Sequence, residues 1–257
     1  MILTRRAALD GVQLDELHDA IVIRGIEPGT PNETLQATGR MGGAGQRVTV
    51  QHWDMLEAKV TFAIDIPKRE MAARREVFDL VKGWALSKGW LTVNERPDRR
   101  MHVDKVIFPD AGDLWDWTRD YTIAFRAYGV PFWQDEAPAS AVTQSITNGT
   151  AVITVPGDTE TVLDLKFENI SGQNIANFAV TAGGNEMTLT GVNLAARQAL
   201  VISHTPDGLL TAKKGTADVY ALIRGADDLN VKPGEQSVKI TATRAGRLTL
   251  SCAGRYL

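Results

Sequence analysis

The chain has 257 residues, of which 44% are hydrophobic and 23% are charged, a composition typical of a globular protein with one or two domains. Its formal net charge is only −3, which argues against a nucleic-acid binder with a strongly basic surface. The single cysteine, Cys252, excludes an internal disulfide and a cysteine-based zinc site.

The tryptophans divide the chain into two unlike parts. All six lie in the first 133 residues, and the rest reads as short alternating runs of Thr, Val, Ala, Asn and Gly. This contrast predicts two domains, residues 1–136 and 137–257. The first residues lack the apolar run of a signal peptide, and no stretch approaches the roughly 18–20 apolar residues of a membrane span. We therefore expect cytoplasmic synthesis and no membrane insertion.

Two strands are predicted early in the first domain. Residues 56–65 alternate between apolar and polar side chains, which is the pattern of a half-buried strand. Arg47–Trp53 reads similarly, and the short connection through Asp54 and Met55 predicts an antiparallel hairpin between the two strands.

A helix is predicted over residues 69–87, because its apolar residues, Leu80 included, recur every three or four positions. Pro67 suits the helix start and Gly89 its C-cap. Four basic residues lie at its N-terminus, against the helix dipole: Lys68, Arg69, Arg74 and Arg75. They either face solvent or meet carboxylates across a subunit interface, and Arg74 and Arg75 are the candidates for such a contact.

The first domain continues with strands over Trp90–Val93 and Met101–Phe108. A later strand carries its large side chains on one face: Trp115, Trp117, Tyr121, Ile123 and Phe125. Arg119 interrupts this strand, so we expect it at a sheet edge or a subunit interface. Strands on both sides of one helix predict an α+β domain with the helix across an antiparallel sheet.

The second domain reads as all-β. Leu163, Leu165 and Phe167 alternate with polar residues, and turn signals separate short strands. Gly183-Gly184-Asn185 and Pro206-Asp207-Gly208 predict hairpins, and Ala245-Gly246 predicts a reversal into the last strand. No helical periodicity appears, so we predict a β-sandwich or jelly roll.

The sequence contains no specific catalytic or cofactor-binding motif. Gly39–Gly45 is glycine-rich, but a strand follows it and it has no lysine, so it predicts a loop and not a phosphate site. The four histidines lack metal-ligand spacing, which predicts no metal site. Cys252 alternates with Leu248 and Leu250, as a core thiol does.

Two sets of residues allow either a structural or a catalytic interpretation. His52 with Asp54, and His102 with Asp104, predict ordinary surface pairs, with catalytic dyads as the alternative. Asp116 and Asp120 predict a solvated strand face, with a metal or glycosidase pair as the alternative. We predict no catalytic residue, no metal and no cofactor.

The order of elements and several local strings have a parallel in a known family. Tyr121–Phe125 followed by Pro131–Trp133 matches its last N-terminal strand and aromatic exit. The helix running into Trp84, and Gly89-Trp90-Leu91 after it, match its central helix and hairpin. Leu229–Gly234 and the final Arg255-Tyr256-Leu257 match its C-terminal end. In these features the chain resembles the distal tail protein (Dit) family of long-tailed, siphovirus-type phages over nearly its whole length.

The resemblance implies a galectin-like C-terminal sandwich and a homohexameric ring built from the N-terminal domains. Such a ring links the tail tube protein to tip, tail-associated, baseplate or receptor-binding proteins. DNA and the tape measure protein pass through its lumen without sequence-specific recognition. The protein would be a virion component at the tail tip, assembled in the host cytoplasm, and not an enzyme.

One departure from the family is the long stretch Glu27–Gln46, where a more compact passage is expected. The Gly39–Gly45 loop within it is expected to order against a neighbouring subunit, as the mobile hairpins of tail rings do.

The alternative function is a carbohydrate-binding module or adhesin, because galectin-like sandwiches can bind sugars. Sugar sites usually use exposed Trp or Tyr side chains. The second domain offers four large aromatic residues: Phe167, Phe178, Tyr220 and Tyr256. Because the two phenylalanines are expected to be buried, the sequence favours docking of another protein.

Overall fold

The computed structural model describes residues 5–39, 46–67, 69–109 and 120–257. The fold is mainly β, with 59% of residues in strands and one α-helix in the described part. The chain divides into two compact units, Met1–Trp133 and Gln134–Leu257.

The first unit contains a helix and ten strands in its described ranges. The α-helix α1 spans Met71–Leu86, and a short 3-10 turn spans Leu14–Glu16. The strands are β1 (Ala7–Leu9), β2 (Val12–Gln13), β3 (Ile21–Glu27), β4 (Glu33–Gly39), β5 (Gln46–Trp53), β6 (Leu56–Ile64), β7 (Gly89–Val93), β8 (Arg99–Val103), β9 (Lys105–Ile107) and β10 (Tyr121–Ala127).

Antiparallel pairing joins these strands into two main sheets. One has the order β3-β6-β10-β9, and in the other β2, β1, β7 and β8 pair in that order. The alternation of β6 is confirmed, because its predicted inward residues are all buried: Leu56, Ala58, Val60, Phe62 and Ile64.

The predicted helix is confirmed with its N-terminus two residues later. It packs on β10 through edge-to-face aromatic contacts, with ring centroids 5.1 Å apart for Phe78 and Tyr121 and 5.9 Å apart for Trp84 and Phe125. Leu80 differs from the prediction, since its side chain is exposed.

The predicted hairpin between β5 and β6 is wrong. β5 pairs with β4, from Glu33 opposite Trp53 to Gly39 opposite Gln46, whereas β6 lies between β3 and β10. The amide of Asp54 donates to the carbonyl oxygen of Asn32 at 2.7 Å, which holds the end of β5 beside the start of β4. The stretch Glu27–Gln46 therefore includes a strand of a hairpin.

The predicted strand over Met101–Phe108 is divided at Asp104. Residues before it form β8 and pair with β7, and residues after it form β9 and pair with β10. The Asp104 carboxylate accepts hydrogen bonds from the amides of Tyr128 and Gly129, at 2.5 and 2.9 Å. These bonds hold the chain at the point where it changes sheets.

The described second unit consists of strands and one 3-10 turn, Tyr220–Leu222. After β11 (Trp133–Asp135), which spans the boundary of the units, the strands are β12 (Ala139–Val155), β13 (Thr161–Val162), β14 (Asp164–Asn169), β15 (Ile175–Ala182), β16 (Asn185–Leu194), β17 (Ala199–His204), β18 (Leu210–Lys214), β19 (Ala217–Asp218), β20 (Ile223–Gly225), β21 (Asn230–Val231), β22 (Gly234–Cys252) and β23 (Arg255–Tyr256).

One curled sheet organises this unit. β12 pairs with one side of β22 along most of its length, while β15 and β14 pair with the two halves of its other side. Phe167 of β14 and Phe178 of β15 meet with ring centroids 4.8 Å apart. The two halves of the sheet therefore share one hydrophobic core.

The two predicted hairpins are confirmed. Gly183 and Gly184 connect β15 to β16, and both have positive φ angles, as a tight hairpin turn requires. β17 and β18 pair on either side of Pro206-Asp207-Gly208.

The predicted reversal at Ala245-Gly246 is wrong, because β22 runs through both residues as one strand. A Cβ atom on Gly246 would lie 2.2 Å from the Phe167 ring. This glycine therefore makes room for an aromatic side chain and does not form a turn.

Candidate interaction surfaces

An open groove lies along the exposed face of α1. It encloses about 930 Å³. Its apolar lining includes Val12, Leu17, Leu80 and Trp84, and the charged residues beside them are Arg75, Glu76 and Asp79. Leu80 is 45% exposed. We refer to this surface as the α1 groove.

A hydrogen bond fixes the base of the α1 groove. The Trp84 ring nitrogen donates to the carbonyl oxygen of Val12 at 2.9 Å, which connects the helix to β2. Gly83 also lines the groove, and a Cβ atom added there would have no neighbour within 4 Å. Glycine costs a helix about 1 kcal/mol relative to alanine. No close contact within the described chain accounts for a glycine at this position.

The structure separates the three arginines proposed for subunit contacts. Arg74, predicted at a solvent or subunit surface, is fully buried, and its guanidinium donates to the carbonyl oxygens of Ile64 and Ile66 at 3.3 and 2.7 Å. Arg75 is exposed and lines the α1 groove. Arg119 lies outside the described residues. Of the three, Arg75 is the residue that the structure places on an accessible surface.

The β4–β5 hairpin pairs with itself and with no other strand in the described chain. Two-stranded hairpins without further support are marginally stable in water. The Gly39–Gly45 loop that connects these strands lies outside the described residues apart from Gly39.

Both predicted His–Asp pairs form, that of His52 at the surface and that of His102 largely buried. The His52 ring lies 3.3 Å from the Asp54 carboxylate, and both side chains are about half exposed. His102 lies 3.3 Å from Asp104, whose carboxylate also accepts the two backbone amides described above. Burial works to raise the pKa of Asp104, but the amides and His102 outweigh it and lower that pKa. The geometry gives Asp104 a structural role at the change of sheet.

The aspartate pair of the first unit is only partly described. Asp120 lies 4.0 Å from Arg24, with both side chains exposed, and Asp116 lies outside the described residues. Trp115 and Trp117 lie outside them as well.

The sequence did not predict a cluster around His204 in the second unit. The two ring nitrogens of His204 lie 2.8 Å from Asp164 and 3.0 Å from Asp228. The Asp164 carboxylate also accepts the backbone amide of His204 at 3.0 Å. The histidine side chain is only 6% exposed. These three residues are far apart in sequence and form no motif, so spacing gave no signal.

The positions of the two carboxylates favour the protonated form of His204. Burial works to lower the pKa of His204, but the hydrogen bonds and charges of Asp164 and Asp228 outweigh it and raise that pKa. An imidazolium donates from both ring nitrogens, so both carboxylates can accept at once. Arg255 also faces Asp228, and burial lowers its pKa against the effect of that carboxylate. The cluster connects β14, the end of β17 and the segment before β21.

Cys252 is a buried core thiol, as predicted. Burial and the negative charges of Asp135 and Asp164 raise its pKa to about 11. A thiol in this state is a poor nucleophile at neutral pH, because the thiolate is the reactive form.

The aromatic residues of the second unit form no exposed platform. Phe167 and Phe178 are buried, and the Tyr256 hydroxyl donates to Asp135 at 2.9 Å. Tyr220 is exposed and lies in the short 3-10 turn. These positions give no support to a saccharide site built from stacked aromatic rings.

No helix in the described residues is both long enough and apolar enough to cross a membrane.

Solved structures show the likeness that sequence comparison does not. No protein-family model matches the chain, and no curated protein matches it significantly. The crystal structure of SPP1 Dit (gp 19.1), described as a paradigm of hub adsorption apparatus in Gram-positive infecting phages, aligns with a TM-score of 0.67 and 12% identity. The alignment covers 98% of this chain and 99% of that chain.

A chain of the phage P2 baseplate, in its activated conformation with calcium, aligns with a TM-score of 0.51 and 10% identity. It covers 98% of this chain and 99% of the other. At such low identity the likeness concerns the fold. The resemblance to distal tail proteins inferred from the sequence is confirmed at that level, and the chain has a Dit-like fold along nearly its whole length.

Proposed function

We propose that the protein is a structural component of a phage tail tip. Residues 1–136 would build a homohexameric ring, with residues 137–257 outside it as galectin-like sandwiches. The ring would link the tail tube protein to tail-tip, tail-associated, baseplate or receptor-binding proteins. Its lumen would pass DNA and the tape measure protein. The role is non-enzymatic and belongs to the virion.

The observation that carries the proposal is the Dit-like fold of nearly the whole chain. That likeness extends through both units, so it is not limited to one domain that many proteins share.

The α1 groove is the proposed contact surface between neighbouring subunits. Its exposed Leu80 and Val12 would be buried by a second subunit, which is favourable at about 25 cal/mol per Å² of apolar surface. Arg75 would meet a carboxylate of the neighbour there. Gly83 leaves the groove open at a local cost to the helix.

The β4–β5 hairpin is a second proposed subunit contact. A hairpin with no partner strand in the described chain gains stability when a neighbouring subunit packs against it. We expect protease cleavage between β4 and β5 to be slower in the assembled ring than in free subunits. Equal cleavage rates in the two states would reject this contact.

Negative-stain electron microscopy and light scattering of the purified protein test the proposed function. We expect six-fold rings with a central hole and peripheral knobs, and a mass of six chains, or a multiple of six where rings associate. A clean monomer at high concentration would contradict self-assembly of the ring. In that case the isolated second unit should be applied to a glycan array, where specific binding would favour the carbohydrate-binding alternative.

A further inference from the structure

β12 lies at a sheet edge along its whole length. It pairs with β22 and with no other strand among the residues that the structure describes. In an edge strand, every second residue directs its N–H and C=O away from the single partner strand. Those groups can pair with a further strand if nothing prevents its approach.

Other edge strands carry features that discourage such pairing. β3 contains Arg24 and Glu27 and has a register shift between Ile23 and Gly25. β9 has three residues including a lysine, and β19 and β20 have two and three residues. β12 has 17 residues and contains no charged residue and no proline. Its register shifts relative to β22 lie between Thr143 and Asn148, so residues 149–155 have none of these protective features.

The second half of β12, residues 148–155, has a regular exposed face. Asn148, Thr150, Val152 and Thr154 are exposed, and the residues between them face inward. Val152 is 49% exposed and is the large apolar residue of this face. Thr150 and Thr154 lie two positions on either side of it, so the face is symmetric about Val152.

We propose that residues 149–155 of β12 pair antiparallel with the same segment of a second copy of the chain, about a two-fold axis through Val152. This register places Val152 opposite Val152 of the other copy, and Thr150 opposite Thr154. Apolar and Thr–Thr cross-strand pairs of this kind stabilise antiparallel sheets. The contact uses the second unit and does not depend on ring formation by the first. Since neighbours in a six-fold ring are not related by a two-fold axis, it would join chains of different rings.

Two exposed charges on β22 are compatible with this partner and register. Lys239 lies opposite Thr150 and Glu235 lies opposite Thr154, and both are exposed. In the paired sheet, Lys239 of each copy shares a row with Glu235 of the other. The two Cα atoms would be about 14 Å apart, three strand spacings, so the attraction between these exposed charges is weak in water. The register thus places unlike charges in the same row twice, and β12 itself carries no charge that would repel the other copy.

Cysteine cross-linking of the full chain tests the contact directly. Opposed residues of an antiparallel pair have Cα atoms about 4.5–5.5 Å apart, a separation that a disulfide can bridge. We expect the Val152→Cys variant to form a covalent dimer under mild oxidation with glutathione disulfide. The native Cys252 is buried and leaves the readout clear.

Val142→Cys is the matched control, because Val142 lies on the same strand and is 54% exposed. In the proposed register it faces no residue of the other β12, so we expect no dimer from this variant beyond random collision. Val152→Lys should abolish concentration-dependent association through the second unit, because two lysines would lie face to face. Equal cross-linking of the two cysteine variants, or no dimer from Val152→Cys, would overturn the proposal, whether or not six-fold rings form.

Discussion

Arg74 and Arg75 are adjacent in the sequence and lie in opposite environments. The Arg74 guanidinium is buried and donates to two backbone carbonyls at the end of β6 and just after it. Backbone acceptors in a buried site must be satisfied, and the arginine does this while its alkyl chain packs inside. Arg75 points into the α1 groove. Arg74 is therefore a charged helix residue that belongs to the core.

Replacing Arg74 with methionine should destabilise the fold by about 2–4 kcal/mol, because two buried acceptors lose a charged donor. Urea unfolding of the variant would measure the difference. Arg75→Met is the matched control, and as a surface substitution it should change stability by no more than about 0.5 kcal/mol. Similar losses from both variants would contradict the assigned role of Arg74.

His204 makes the stability of the second unit depend on pH. Its folded-state pKa is raised above the ordinary value of 6.5, so the folded chain binds the proton more tightly than the unfolded chain. The stabilisation is therefore complete below about pH 6.5 and is lost as pH rises through the folded pKa.

His204→Gln should accordingly lower the stability of the second unit by about 1–3 kcal/mol at pH 6, with a smaller difference at pH 9. Thermal unfolding of both proteins across this range gives the difference at each pH. His52→Gln, which alters a half-exposed histidine, controls for loss of an imidazole. A His204 difference that stays constant with pH would show that the imidazolium does not stabilise the cluster.

At the scale of elements, the sequence pattern predicted correctly those strands, helices and turns that depend on residues close together in the chain. The alternation of β6 and the helical spacing of α1 follow from burial of one face, and the Gly183-Gly184 turn follows from its backbone requirement. Strand partners were predicted less well, because pairing depends on contacts distant in sequence. β5 pairs with β4, although the short connection to β6 predicted a hairpin.

The candidate surfaces were less predictable than the elements. Arg75 was selected from its charge, but nothing in the spacing showed that Arg74 beside it is buried. The His204 cluster joins residues 40 and 24 positions apart through the curl of the sheet. Such sites are visible once the fold is known.

The glycine at position 246 illustrates the same limit within one strand. Glycine is usually a turn signal, yet here it lies inside β22 beneath the Phe167 ring. Gly246→Ala should destabilise the second unit by about 1–3 kcal/mol or more, because the added methyl overpacks a rigid aromatic contact.

Thermal unfolding of Gly246→Ala measures that loss. Gly149→Ala is the control, since its Cβ would meet Ile146 at 3.6 Å, an ordinary contact. Adding Phe167→Leu to Gly246→Ala should recover part of the stability lost through the clash. If the two glycine variants were equally stable, the close approach of Phe167 would not be the constraint.

At the scale of the whole molecule, the fold is shared with SPP1 Dit at 12% identity. A fold can persist at that level because core patterning tolerates exchange of apolar residues. Surface residues are not constrained by the fold in this way. The shared fold therefore does not identify the residues that hold neighbouring subunits together. The α1 groove is the proposed surface in this chain, and it can be tested without knowing any partner.

Leu80→Lys should prevent ring formation and leave the monomer folded. The leucine is already 45% exposed, so lysine costs the isolated chain little, whereas in a closed interface it would bury an unpaired charge. Leu209→Lys is the matched control, because Leu209 is 66% exposed and lies in the second unit. Light scattering and negative-stain microscopy should show hexamers for the wild type and the control, and monomers for Leu80→Lys. If all three proteins formed rings, the ring would stand but its subunit interface would not lie at α1. If all three were monomers, the proposed ring itself would be wrong.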